Sequence, residues 1–286
     1  DLDGVCTLRT IKDAEAIRAR LTSGANVLVI GAGWIGLEVA AASRKSGANA
    51  TVIELADRVC ARALTEEMSA WVHALHIGHG VDIRLSTAFD RFEGDNELER
   101  AILADGTALP CDVAVVGIGL IPNTELAEQA GLVIGNGIVV DEHGQTSHPD
   151  IFSAGDATNH PNPLLGRRVR LESWENAQNQ AINAAKAMLG RLQAYAEIPW
   201  FWSDQYDANI QMMGLPEDWD ETVIRGDRNA GKFIEFYLKD GEIKGAAAIN
   251  NARDLRFTRR MMTSNKKFDA VSLADPETKL QKLMKG

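Results

Sequence analysis

The sequence predicts an α/β fold built on a parallel sheet, and three observations predict it. Asn26-Val-Leu-Val-Ile30 is a short continuous apolar run, the pattern of a parallel strand covered on both faces. A glycine-rich turn and a helical stretch over 34–46 follow, closed by Gly47 in the usual C-terminal position. Ala50-Thr-Val-Ile-Glu54 then supplies a second strand and completes a strand–helix–strand unit about thirty residues long.

The other elements follow in order. Residues 11–21 read as a helix before the first strand, and the chain begins mid-element without an initiating Met, as expected of a protein whose first segment lies upstream. Downstream come a helix over 65–77, a strand over 81–86, and strands over 89–92 and 100–103, with an Asp105-Gly106 turn leading into 107–110. Residues 112–117 form another buried strand, 124–130 a short helix, and Gly137-Ile-Val-Val-Asp141 a strand. Ile151-Phe-Ser-Ala-Gly-Asp156 reads as one more strand, and 157–166 as a polar connection. A long helix is expected over 174–189, with a boundary at Pro199. Beyond it the composition turns aromatic, with Trp200-Phe-Trp202, a hairpin over 232–238 and 242–249 about Asp240-Gly241, and basic helices near 252–262 and 275–285.

Composition excludes several classes. A net charge of −10 argues against general nucleic-acid binding, which needs surplus Lys and Arg to neutralise phosphates. No apolar run approaches the roughly 20 residues that span a bilayer. Cys6, Cys60 and Cys111 are odd in number and widely spaced, so neither a disulfide framework nor a zinc site is expected, and a reducing cytoplasmic setting fits. His73, His76 and His79 lack an accompanying acid or cysteine cluster and read as a helix C-terminus rather than metal ligands. The acidic balance reverses at the end of the chain. From Arg253 onward nine Lys and Arg face four acids, and the stretch from Arg253 to Lys267, with Arg256, Arg259 and Arg260, is basic enough to steer an acidic partner.

The chemistry centres on Gly31-Ala-Gly33-Trp34-Ile35-Gly36, a G-x-G-x-x-G between a strand and a helix. Its first glycine permits the tight turn, its second lets backbone approach a pyrophosphate, and its third lets helix and strand pack closely. The helix N-terminus then faces the negative charge. Glu54, eighteen residues after Gly36, ends the second strand, where a carboxylate accepts hydrogen bonds from ribose hydroxyls and repels a 2′-phosphate. NADH is therefore expected over NADPH. Arg58 and Arg62 are the complication, since either could meet a phosphate or instead bind pyrophosphate, stack on adenine or face solvent.

Beyond the glycine loop, Gly117-Ile118-Gly119-Leu-Ile-Pro-Asn123, Ile151-Phe-Ser-Ala-Gly-Asp156, Leu171-Glu-Ser-Trp174-Glu-Asn176-Ala and Pro199-Trp-Phe-Trp202-Ser-Asp-Gln205 are each distinctive. With them the chain resembles, over its whole length, the flavoprotein ferredoxin reductases of bacterial oxygenase systems, of the putidaredoxin-reductase and biphenyl-dioxygenase-reductase type. The resemblance implies a glutathione-reductase-like fold with two dinucleotide-binding domains and a C-terminal α+β domain. Residues 1–24 would be part of the FAD-binding domain, 25–139 the NAD-binding domain, 140–196 the return of the FAD-binding domain, and 197–286 the C-terminal reductase domain. It further implies that Arg9 contacts FAD, that Asp156 hydrogen-bonds its ribityl and phosphate region, and that Trp174 lies beside the isoalloxazine. By the same resemblance Glu38 hydrogen-bonds the nicotinamide carboxamide, and Gly117, Ile118 and Gly119 pass under the nicotinamide half of NADH.

The implied reaction carries a hydride from NADH to FAD and single electrons onward to a [2Fe-2S] ferredoxin, docking near Arg253, Arg256, Arg259 and Arg260. Family members carry an upstream first G-x-G-x-x-G that grips the ADP half of FAD. Without it this chain is expected to hold half of the FAD site. A disulfide reductase, an interaction flavoprotein of the apoptosis-inducing-factor kind and a bare NADH-binding fragment are the alternatives. The absence of His after Pro199 counts against the first.

Overall fold

A computed structural model describes residues 2–215, 217–264 and 266–284. Lys285, one of the nine basic residues of the tail, and Asp1, the start of the span expected as part of the FAD-binding domain, lie outside the described residues. The chain divides into two compact units, one comprising Asp1–Leu120 with Ser203–Asp207, the other Ile121–Trp202 with Ala208–Gly286.

The first unit carries β1 (Val5–Cys6), α1 (Ile11–Arg20), β2 (Asn26–Ile30), α2 (Trp34–Lys45), β3 (Asn49–Ile53), α3 (Glu66–Gly78) and β4 (Asp82–Arg84). A three-stranded sheet follows, β5 (Phe89–Glu93), β6 (Arg100–Leu103) and β7 (Ala108–Pro110), and β8 (Val113–Val116) returns to the main sheet. The main sheet has the order β1-β8-β2-β3-β4, and all its pairings are parallel. From Val27 to Ile30 every β2 side chain is buried, as the unbroken apolar run requires. Leu28, Ile30 and Ile53 pack with Ala101, Leu103 and Leu109 in one core, so the three-stranded sheet covers one face of the parallel sheet. Strand order reverses at β2, whose neighbours are β3 and β8. At such a switch point the carboxyl ends of the strands, here of β2 and β8, are the usual ligand position.

The second unit begins with α4 (Glu125–Gln129) and a small sheet of β9 (Ile134–Gly135), β10 (Gly137–Val139), β11 (Thr158–Asn162) and β12 (Arg167–Val169). Two expectations change here. Ile151–Asp156 is not a strand. It makes one bridge, Gln145 to Phe152, the Ile151 N–H turns back to the His148 carbonyl, and Gly155 adopts φ +85°. The strand instead occupies Thr158–Asn162, inside the stretch read as a polar connection, because Ile138 and Val139 pair with Thr158 and Asn159. Next come α5 (Trp174–Met188), then β13 (Trp200–Gln205), β14 (Ala208–Gly214), β15 (Glu221–Asp227), β16 (Lys232–Lys239) and β17 (Glu242–Ile249) in the order β13-β14-β17-β16-β15. Only the β16–β17 hairpin had been read from sequence.

Ile234, Phe236 and Leu238 of this sheet pack against Leu255 and Met261 of α6 (Ala252–Met262). Within the span expected as a helix near 275–285 only the short α8 (Leu280–Leu283) forms, preceded by another short helix, α7 (Ala270–Ala274). The break follows from Pro276 and from Arg225, which draws the intervening backbone carbonyls to its guanidinium. Among the described residues no helix is long and apolar enough to cross a membrane.

Candidate functional site: a dinucleotide cradle

At the carboxyl end of β2 the chain turns at Gly31 with φ +104°. A Cβ on Gly31 would lie 2.6 Å from the Gly117 carbonyl oxygen, and one on Gly36 would lie 2.0 Å from that of Gly31. Both glycines are therefore demanded by the protein's own packing. Gly33 differs. Its backbone is extended (φ −77°, ψ −177°), open to any residue, and a Cβ there would meet nothing within 4 Å. Among the described residues no atom accounts for a glycine at 33, whereas a ligand approaching that backbone would.

Gly33 is also the N-cap of α2, with no side-chain cap and no acid in the first turn. By contrast α1, α3, α5 and α6 are capped by Thr10, Thr65, Ser173 and Asn251. The positive end of the α2 dipole, with no side-chain cap at Gly33, thus suits an anion, as a pyrophosphate site requires. Trp34 is half-buried and Ile35 is exposed in that first turn.

Glu54 follows β3 and bridges the loops. One carboxylate oxygen accepts the Ala32 N–H at 2.7 Å and the other the Ala56 N–H at 2.9 Å, which fixes the carboxylate while each oxygen retains a lone pair. The following loop is tied to the same place by the Cys60 N–H on the Ala32 carbonyl at 2.9 Å. Arg58 donates to the carbonyls of Leu64 and Ala61 at 2.7 and 2.8 Å. Its guanidinium is thereby part of the loop's own structure. Arg62 is exposed, with its Nη2 3.6 Å from the position of a Gly119 Cβ. The structure therefore brings together Gly31, Gly33, Trp34, Ile35, Gly36, Glu54, Arg62, Gly117, Ile118 and Gly119. Ile118 of this group exposes 71% of its surface.

Glu38 lies one turn into α2, on the solvent-facing side, but its carboxylate is held by a partner that sequence reading missed. Ser203 Oγ donates to Glu38 Oε1 at 2.5 Å. Crowding by protein raises the Glu38 pKa, the Ser203 hydrogen bond opposes the rise, and the nearby Asp204 charge adds to it. Arg9 sits elsewhere in this unit, exposed before α1. Its backbone N–H, with that of Thr10, joins Asp13 in the capping box.

In the second unit Asp156 is half-buried at the end of its loop, and Trp174, the first residue of α5, exposes 65% of its surface. The Trp174 ring meets Trp202 edge-on at 6.3 Å, and Trp202 stacks on Trp200 at 4.9 Å. Arg259 of α6 grips Glu175 with both contacts at 2.9–3.0 Å. This narrows the basic patch, because Arg259 is neutralised within its own unit, whereas Arg253, Arg256 and Arg260 are exposed.

The cysteines are buried or half-buried. Burial pushes the Cys60 thiol up to about 12 and the Cys111 thiol to about 11, and raises that of Cys6. Among the described residues no group of three or more His, Cys, Asp and Glu could hold a metal ion.

Residues 1–181 match the pyridine nucleotide-disulphide oxidoreductase family, and residues 200–284 match the reductase C-terminal family. The ferredoxin–NAD(+) reductase component of the anthranilate 1,2-dioxygenase system of Burkholderia cepacia is 47% identical over 275 residues, covering 96% of this chain and 68% of that protein. Putidaredoxin reductase of Pseudomonas putida is 39% identical over 280 residues, covering 97% and 66%. The reductase in the crystal structure of the covalent putidaredoxin reductase–putidaredoxin complex superposes with a TM-score of 0.94 at 37% identity, covering 99% of this chain and 68% of that one. With the family come a flavin and a nicotinamide dinucleotide as cofactors. The chain thus belongs to the pyridine nucleotide-disulphide oxidoreductase family, among the ferredoxin reductases of bacterial oxygenase systems, of the putidaredoxin-reductase type.

Proposed function

We propose that the chain serves an NADH-dependent, FAD-containing ferredoxin reductase that feeds electrons to an oxygenase through a [2Fe-2S] ferredoxin. The observation that carries the nucleotide half of this reading is the empty space at Gly33 beside the uncapped N-terminus of α2. A pyrophosphate laid there receives backbone N–H groups, and the exposed Arg62 adds a cation. Glu54 is already fixed by two N–H groups and accepts the adenosine ribose hydroxyls with its remaining lone pairs. Its charge opposes a 2′-phosphate. Arg58, one of the two arginines that could meet such a phosphate, is closed onto the Ala61 and Leu64 carbonyls. NADH is therefore preferred to NADPH.

Glu38 orients the nicotinamide through its carboxamide, with the 117–119 loop beneath. Arg9, Asp156 and Trp174 serve the flavin, Asp156 at its ribityl and phosphate region and Trp174 beside the ring. Residues 1–24 and 140–196 build the flavin-binding domain, 25–139 the NAD domain, and 197–286 the C-terminal domain. FAD, held by these residues, would supply a hydride acceptor that can release electrons singly. The protein's own part is positioning and electrostatics, and no side chain needs to act as general acid or base. A dithiol route finds no support in this chain, whose buried thiols resist ionisation.

The test is an anaerobic titration of the purified, flavin-loaded protein with NADH and NADPH, followed by visible absorbance and by ferredoxin reduction. Bleaching by NADH at concentrations at least about tenfold below those needed for NADPH supports the assignment (~1.4 kcal/mol of discrimination). Equal response to both nucleotides would sink the Glu54 argument, and reduction without electron delivery to any [2Fe-2S] ferredoxin would sink the reductase.

A further inference from the structure

Behind Glu38 runs a line of polar side chains that the hydride-transfer scheme does not use. Ser203 and Gln205 are two residues apart on β13 and so project from the same side of the strand. Both are buried, as is His76 in the last turn of α3. Gln205 Nε2 reaches Ser203 Oγ at 3.0 Å, Gln205 Oε1 meets His76 Nε2 at 2.7 Å, and Tyr206 OH lies 3.3 Å from His76 Nδ1. His79 stacks on the Tyr206 ring at 3.6 Å. Ser203–Asp207 groups with the unit that holds the dinucleotide loop, so the whole line belongs to that unit.

The direction of every bond is fixed by its last member. An ionised Glu38 only accepts, so the Ser203 hydroxyl donates to it and must itself accept from Gln205 Nε2. Gln205 Oε1 then faces His76, which requires the proton on His76 Nε2 and leaves Nδ1 to accept from Tyr206. Burial lowers the His76 pKa and keeps the ring neutral, in agreement with a single ring proton. Four successive donors thus point toward one carboxylate. Such chains polarise cooperatively.

We propose that Ser203, Gln205 and His76, anchored by Tyr206, are positioning residues that hold the Glu38 carboxylate in place for the nicotinamide. Through them the Ser203–Tyr206 segment, which groups with the dinucleotide unit, takes part in hydride-donor recognition. The inference rests on the reading of Glu38 given above. The charged or titratable groups facing the line are Asp204 near Glu38, His73 and His79 near His76, and Arg44 and Lys45 of α2 near Tyr206.

The test titrates the chain with NADH, by nicotinamide fluorescence, and with ADP-ribose, which lacks the nicotinamide. Ser203→Ala should weaken NADH binding about fivefold and leave ADP-ribose within twofold, and Ser203→Thr, which keeps the hydroxyl, should restore NADH. Gln205→Met should give a smaller loss of the same kind and guards against a single ill-behaved variant. The Ser203 bond opposes the rise in the Glu38 pKa, so its loss lets that pKa climb further. The fall in NADH affinity on acidification should then begin at a higher pH in Ser203→Ala. Equal weakening of NADH and ADP-ribose would reduce the line to a structural role and overturn the proposal. If Glu38→Gln weakens NADH binding and Ser203→Ala does not, the relay fails while the Glu38 reading survives. If Glu38→Gln leaves NADH binding unchanged, both fall together.

Discussion

Replacing Gly33 and Gly36 by alanine, one at a time, separates two demands that the glycine loop meets at once. At position 36 the new methyl would lie 2.0 Å from the Gly31 carbonyl oxygen and 3.1 Å from Val29 Cγ1, about 1 Å inside the closest approach Cβ atoms tolerate. Helix α2 must move off β2, and overpacking of this kind costs roughly 1–3 kcal/mol or more. At position 33 the methyl meets no atom of the described residues within 4 Å, and the extended backbone suits alanine. The entropy removed from the unfolded chain contributes about 0.4–1 kcal/mol, which the loss of a favourable N-cap residue offsets. Gly33→Ala should therefore leave stability within about 1 kcal/mol of the parent. It should still weaken NADH at least about tenfold, since its methyl stands where the pyrophosphate approaches (~1.4 kcal/mol). Denaturant unfolding and NADH titration on the same preparations measure both quantities. The reasoning is refuted if Gly33→Ala binds NADH like the parent, or if it loses as much stability as Gly36→Ala.

Two further outcomes follow from ion pairs in the second unit. Arg225 is buried, pairs with Asp254 at 2.9 Å, and donates to the carbonyls of Leu273, Asp275, Pro276 and Thr278. Arg225→Met strands the Asp254 carboxylate and should cost about 3–5 kcal/mol. Thermal unfolding of the variant within a degree of the parent would show that this hub is dispensable. On α6, Arg260→Glu should raise the KM for ferredoxin and leave dye reduction by NADH unchanged. Arg259→Glu should impair both reactions, because it sets a carboxylate against Glu175 beside Trp174. Identical behaviour of the two reversals in steady-state assays would contradict that division.

The nucleotide site was legible because its signals are local. An apolar run, a glycine turn and a helix with small residues specify β2, the loop and α2 within about twenty residues, and Glu54 follows from the next strand's end. The strand over Thr158–Asn162 was not legible, since a polar segment containing Pro161 pairs only because β10 and β12 flank it. Propensity yields there to long-range pairing. Ile151–Asp156 shows the converse, strand-like composition turned aside by a positive-φ glycine. The partners of Glu38 were invisible for a related reason. His76 and Gln205 meet although they lie 129 positions apart, and no helical or strand period links them.

Charge patterning shows how a correct count can mislead about a surface. The basic excess after Arg253 sets nine cations against four acids as if each faced solvent. In the fold, Asp254 is paired with Arg225, which lies before the counted stretch, and Arg259 with Glu175, which also lies before it. The remaining field on α6 comes from Arg253, Arg256 and Arg260, all exposed. An approaching acidic protein is steered by that unpaired charge rather than by the total. This is why reversal of the two neighbouring arginines, alike in the sequence, is predicted to act differently: at Arg260 on the encounter with an acidic partner, at Arg259 on the first turn of α5 and its tryptophan.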